Sequence, residues 1–129
     1  MALSDVYYVF YDTETTGLDI NFSQIIQIGC VLTDNNFNIL EEINLNSKVL
    51  PWIVPSPDAF LVHGQTECLK SGFSHFEMMK SLRDKWLSWG KEKNLIFVSY
   101  NGHRFDEELV RRQFYWNLFD PYITNTNGN

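Results

Sequence analysis

Residues 6–11 form an unbroken run of β-branched and aromatic side chains, Val-Tyr-Tyr-Val-Phe-Tyr. A run of that kind predicts a strand central in a sheet. It ends at Asp12, and Thr15-Thr16-Gly17-Leu18 has the composition of a turn. Residues 24–33 are a second strand-like run, and Asp34-Asn35-Asn36 closes it. From residue 37 to about residue 48 the pattern alternates loosely, as a third strand. Strands joined by so short a connection pair as an antiparallel hairpin.

Breakers follow at Pro51, Pro55 and Pro57, then His63-Gly64-Gln65-Thr66, where Thr66 suits the start of a short helix. Ser74-His75-Phe76-Glu77 is a capping box, with Ser at the cap and Glu three residues on. Phe76, Met79, Leu82, Trp86 and Trp89 then recur at helical spacing until Gly90. Residues 95–100 read as a fourth strand ended by Asn101-Gly102, and residue 105 to about 117 as a second long helix. The order is β-β-β-α-β-α without repeats or a linker. A helix between strands three and four predicts a mixed sheet whose fourth strand is reached by a crossover.

Composition narrows the function classes. The 129 residues suffice for one domain, read over 1–129, and 44% hydrophobic content excludes disorder. Sixteen acidic against ten basic residues give a formal charge of -6. A basic DNA-reading module is therefore excluded, because such proteins meet phosphates with Lys and Arg. An acidic protein still acts on nucleic acid where bound cations supply the positive charge. Two cysteines, Cys30 and Cys68, make neither a disulfide framework nor a zinc site, and Cys30 reads as a buried thiol. With no signal peptide and no apolar run of membrane length, a soluble cytoplasmic protein without membrane contact is expected.

Asp12 and Glu14 sit two apart at the end of the first strand, so alternation puts both on one face, roughly 7 Å apart. Such a pair either holds a hard cation through its oxygens or is merely solvated before a turn. Asp106 opens the last helix, where an acid also meets the helix dipole, and Glu107 and Glu108 share that preference. With strand four beside strand one, Asp106 faces Asp12 and Glu14 across the strand ends. Three converging carboxylates call for a cation.

Residues 10–18, Phe-Tyr-Asp-Thr-Glu-Thr-Thr-Gly-Leu, resemble the first motif of the DEDD 3′→5′ exonucleases, which have a ribonuclease H-like fold. Residues 100–106, Tyr-Asn-Gly-His-Arg-Phe-Asp, resemble their second. Residues 101–122 and the loop 61–66 are more particularly similar to bacterial exonuclease I. The resemblance implies an α/β, ribonuclease H-like mixed sheet: three antiparallel strands, a parallel fourth, and flanking helices. It implies two-metal phosphodiester hydrolysis with Mg²⁺ or Mn²⁺. Asp12 would bridge both ions, Glu14 would bind the ion carrying the attacking water, and Asp106 would support the second. Thr15, Thr16 and Gly17 would line the pocket for the 3′-terminal nucleotide, with Leu18 wedged beside its base. His63 lies in the loop resembling the family's substrate side. Asn101 would act as a loop hydrogen-bonder and Phe105 as a packing residue. The implied partner is single-stranded nucleic acid, DNA before RNA, cut from its 3′ end.

The sequence departs from that pattern at its end. The family's third motif, a His and an Asp on a helix after a fifth strand, is not found, so the fold is expected to lack that final strand and helix. The expectation is a C-terminally truncated domain, either catalytically incomplete or complemented by another polypeptide. Read as residues, His63, His75 and His103 are structural or solvent-exposed. Trp86 and Trp89 read as core. Phe114, Tyr115 and Trp116 read as core packing plus one exposed ring, and Arg111 and Arg112 as a solvated helix face.

Overall fold

A computed structural model describes residues 6–64, 72–99 and 105–124. The elements are β1 (Val6–Thr15), β2 (Ile25–Thr33), β3 (Ile39–Asn46), α1 (Pro57–His63), α2 (His75–Gly90), β4 (Asn94–Ser99) and α3 (Glu107–Trp116). They build a four-stranded sheet in the order β3-β2-β1-β4. β1 pairs with β2, and β2 with β3, antiparallel, while β4 runs parallel to β1. This is the expected mixed sheet, with α2 in the crossover between the hairpin and β4.

The core lies on one face. Val9 and Tyr11 of β1 and Ile28, Cys30 and Leu32 of β2 meet Met79, Leu82 and Trp86 of α2 and Leu109, Val110 and Phe114 of α3. Trp86 sits at its centre, 4.8 Å from Phe97 and 5.4 Å from Tyr11 between ring centroids. Burial pushes the Cys30 thiol up to about 12, so it behaves as a packed apolar group. The even-numbered β1 positions turn to the other face. There Tyr8 and Phe10 gather around Phe37, with centroids 5.3 and 6.3 Å away. No helix among the described residues is long and apolar enough to cross a membrane.

Three elements differ from expectation. β1 runs to Thr15 instead of stopping at Asp12, because Asp12, Thr13 and Glu14 are paired with Gly29, Ile28 and Gln27 of β2. The ladder overrides the weak strand propensity of Asp12 and Glu14. A short helix not expected from the sequence, α1, begins at Pro57, where the missing N–H would be unbonded anyway; Thr66 and the short helix expected to start there lie outside the described residues. On α2 the capping box forms, with Glu77 N–H donating to Ser74 Oγ and Ser74 N–H to Glu77 Oε1, both 3.1 Å. That start turns His75 inward and leaves Phe76 47% exposed, packed on Phe119 at 5.4 Å.

Candidate active site

Among the described residues the parallel ladder between β1 and β4 runs to the pair Tyr11–Ser99, and residues 12–15 continue β1 past it while still paired with β2. This overhang presents the expected carboxylates. Asp12 and Glu14 line a basin of about 1090 Å³ on the open face, together with Phe10, Gln27, Gly29 and Asn44. Asp12 is exposed and Glu14 half-buried.

Asp106 arrives at the same edge from the start of α3. Its side chain makes no hydrogen bond to that helix's own N–H groups, so it is not a cap. It is 4% exposed and accepts a 2.9 Å hydrogen bond from Thr13 Oγ1. Burial holds its carboxyl above the usual range, and the nearby Asp12 carboxylate pushes the same way. Glu107 and Glu108 are occupied by Arg111 and Arg112, at 2.8 and 3.2 Å. The two arginines thus belong to the helix's own ion pairs, with Arg112 also donating to Asn21 Oδ1 at 2.6 Å.

The carboxylates meet pairwise: Asp12 with Glu14 in the basin, Asp12 with Asp106 by charge. Among the described residues, no three Asp, Glu, His or Cys side chains stand close enough to share one ion. Asp106 is bonded to Thr13, the residue between Asp12 and Glu14 on β1, and remains near enough to Asp12 for the two charges to act on each other. The donor chemistry nevertheless suits a hard divalent ion. All three groups offer carboxylate oxygens, and Asp106 has no Lys or Arg partner among the described residues.

The turn after β1 is a built elbow. Thr16 N–H donates to Gln24 O and Gln24 N–H to Thr16 Oγ1, both 2.9 Å. Ser56 N–H donates to Thr16 O, and Thr15 Oγ1 to Gly17 O, both 2.6 Å. A Cβ on Gly17 would fall 3.1 Å from Ser23 Oγ, so glycine permits this close approach. Thr15 and Thr16 therefore spend their hydroxyls inside the elbow, whereas Leu18 projects into solvent, 88% exposed. Gln24, fully buried, extends the clamp. Its Nε2 donates to Ser47 Oγ and Lys48 O, and its Oε1 accepts from Leu50 N–H.

Phe105 packs half-buried against the core, as expected of it. Asn101 and His103 lie outside the described residues, as does the side chain of His63 at the end of α1. His75 is structural: Gln113 Oε1 lies 2.8 Å from Nε2, and Asn117 Nδ2 lies 3.1 Å from Nδ1. Of the three adjacent aromatics Phe114 is core, but Tyr115 and Trp116 are both exposed, at 67% and 37%. That is one more exposed ring than expected. Sequence reasoning missed Thr13 and Gln24. A hydroxyl between two acids, and a Gln ahead of Ile25-Ile26, were the available signals.

The model of the RNase T exonucleases matches residues 9–127. The chain is 33% identical over 130 residues to exodeoxyribonuclease I of Buchnera aphidicola subsp. Schizaphis graminum, covering 98% of this chain and 26% of that one. It is 31% identical over 131 residues to exodeoxyribonuclease I of Haemophilus influenzae, covering 98% and 27%. The crystal structure of E. coli exonuclease I in complex with a dT13 oligonucleotide superposes with a TM-score of 0.83 at 26% identity, over 95% of this chain and 26% of that one. The chain thus spans about a quarter of the length of these relatives. The match takes in Asp12 and Glu14 on the β1 overhang and Asp106 beside it, and over those 9–127 residues the chain belongs to the RNase T exonuclease family.

Proposed function

We propose that this chain is an exonuclease domain that releases nucleotides from the 3′ end of single-stranded DNA by metal-dependent phosphodiester hydrolysis. The observation that carries the reading is that β1 continues past its last described pair with β4, Tyr11–Ser99, and that the Asp12 carboxylate there is near enough to the buried Asp106 to act on its charge. The names of the relatives, and the dT13 in the E. coli complex, support DNA as the substrate.

Asp12, Glu14 and Asp106 would hold two divalent ions, Mg²⁺ or Mn²⁺. When bound, such ions neutralise phosphate charge and make water a stronger nucleophile. The rest is the work of the chain's own groups. A protein of charge -6 repels a phosphodiester, so the carboxylates must first be neutralised for a strand to approach. Leu18 offers an apolar edge to the terminal base. The hydrogen bonds of Thr16, Gln24 and Ser56 hold that edge in place beforehand, which lowers the ordering cost of binding. His75 takes no part as a base, since both ring nitrogens are engaged inside the fold.

The test is cleavage of a 5′-labelled single-stranded DNA oligonucleotide, and its RNA counterpart, in Mn²⁺, by the wild-type chain and Asp12→Ala. The expected result is a ladder shortening from the 3′ end of the DNA, lost in the variant. Equal cleavage by both proteins would sink the assignment. A folded, Mn²⁺-binding chain without cleavage would instead favour a protein that binds ends and needs groups from another polypeptide.

A further inference from the structure

We propose that Thr13 is a positioning residue for the metal-binding carboxylates, acting through its hydrogen bond to Asp106. The inference rests on the reading of Asp12, Glu14 and Asp106 as the ion-binding set. Thr13 sits between the two β1 acids in sequence, but alternation turns it to the opposite side of the strand, toward the start of α3. Its backbone is held by pairing with Ile28, and its β-branched side chain has little χ1 freedom. The hydroxyl is therefore a fixed donor on a fixed strand.

Asp106 is the opposite case. It comes from a point 93 residues away in sequence, its backbone is helical, and no N–H of its own helix holds its side chain. The Thr13 hydroxyl, 2.9 Å from Oδ1, is what orients this buried carboxylate among the described residues. A carboxylate can accept several hydrogen bonds, so one bond to Oδ1 leaves acceptor capacity for an ion. The chemistry of the donor matters as much as its place. A Lys or Arg here would neutralise Asp106 and compete with a cation. A neutral hydroxyl orients the carboxylate and leaves its charge intact. Groups that hydrogen-bond to ligating carboxylates act in this way, and their loss typically lowers metal affinity by about 10–100-fold.

The experiment titrates Mn²⁺ into the wild-type chain, Thr13→Val, Thr13→Ser and Asp12→Asn by calorimetry, with thermal melts to establish folding. Thr13→Val removes the hydroxyl at nearly constant volume and should weaken Mn²⁺ binding at least about tenfold. Thr13→Ser keeps the donor and should recover most of the affinity. A merely structural Thr13 would lower the melting temperature of both variants without this split. Unchanged or tighter Mn²⁺ binding in folded Thr13→Val overturns the proposal, as does a folded Thr13→Ser no better than Thr13→Val. Should Thr13→Val not fold, Thr13→Ala removes the same donor and is judged by the same outcomes. If Asp12→Asn binds Mn²⁺ as the wild type does, the ion-binding reading itself falls. If Asp12→Asn loses binding and Thr13→Val does not, only the role of Thr13 falls.

Discussion

Asp106 is an acid held in a buried place. Its folded-state carboxyl is raised by burial and by Asp12, so stability is lost as pH rises from the ordinary carboxylate range through that raised value. Asp106→Asn should therefore raise the melting temperature of the chain in chelator by a few degrees, and should lose most of the stabilisation that Mn²⁺ gives the wild type. A melting temperature that falls in chelator would argue against the stored charge penalty. His75 behaves in the reverse sense. Burial lowers its pKa, with the Gln113 and Asn117 bonds opposing the shift. Above the unfolded value of about 6.5 its titration adds nothing to the pH dependence of stability. As pH falls through that value, the unfolded chain takes up a proton that the folded chain resists. Stability then drops by at most about 1.4 kcal/mol per pH unit, levelling off below the folded value. Melts between pH 7.5 and 5 should show this slope, and His75→Phe, less stable at pH 7.5, should flatten it. An equal slope in both proteins would remove His75 as its source.

Helix ends show how local signals combine. The start of α2 follows its sequence directly, Ser74 and Glu77 exchanging the two bonds of a capping box. The end of α3 does not. Phe119 N–H donates to Phe114 O and Leu118 N–H to Tyr115 O, both 2.9 Å, the pattern of a Schellman motif. That pattern needs a left-handed residue, and Leu118 supplies it with φ 62° where glycine is usual. Its side chain is almost wholly in solvent, so little packing offsets the strain. Leu118→Gly should stabilise the chain by about 1 kcal/mol in urea unfolding. A loss of stability would show that the exposed leucine makes a contribution that the strain argument omits. The hairpin between β2 and β3 shares the device. Asp34 accepts from Asn36 N–H and Asn38 N–H, and Phe37 at φ 63° sends its ring onto Tyr8.

At the scale of the molecule, the helices α2 and α3 cover one face of the sheet and leave the other open among the described residues. The site follows from this asymmetry and from the reach of β1. β1 is ten residues long, and its described parallel register with β4 runs from Val6–Asn94 to Tyr11–Ser99, so residues 12–15 lie past the last described pair. Ligand sites in sheets of this kind lie beyond the carboxyl ends of the strands. Here that end carries Asp12 and Glu14 into the open basin, with the elbow and Leu18 just beyond.

The sequence by itself determined the strands, the two long helices, the capping box and the identity of the acidic residues. These are written in local patterns: side-chain alternation, 3.6-residue spacing, and a Ser followed by a Glu. It also carried the family, because residues 10–18 keep their chemistry in consecutive positions. Tertiary structure alone decided where β1 ends, since pairing with Gly29 and Gln27 holds Asp12 and Glu14 in a strand that their propensities would have ended. It alone decided that Asp106 is a buried acceptor for Thr13 instead of a helix cap, and that Gln24 is the clamp of the elbow. Each of those depends on groups 8 to 93 residues apart. No local pattern encodes such distances; the register of the sheet sets them.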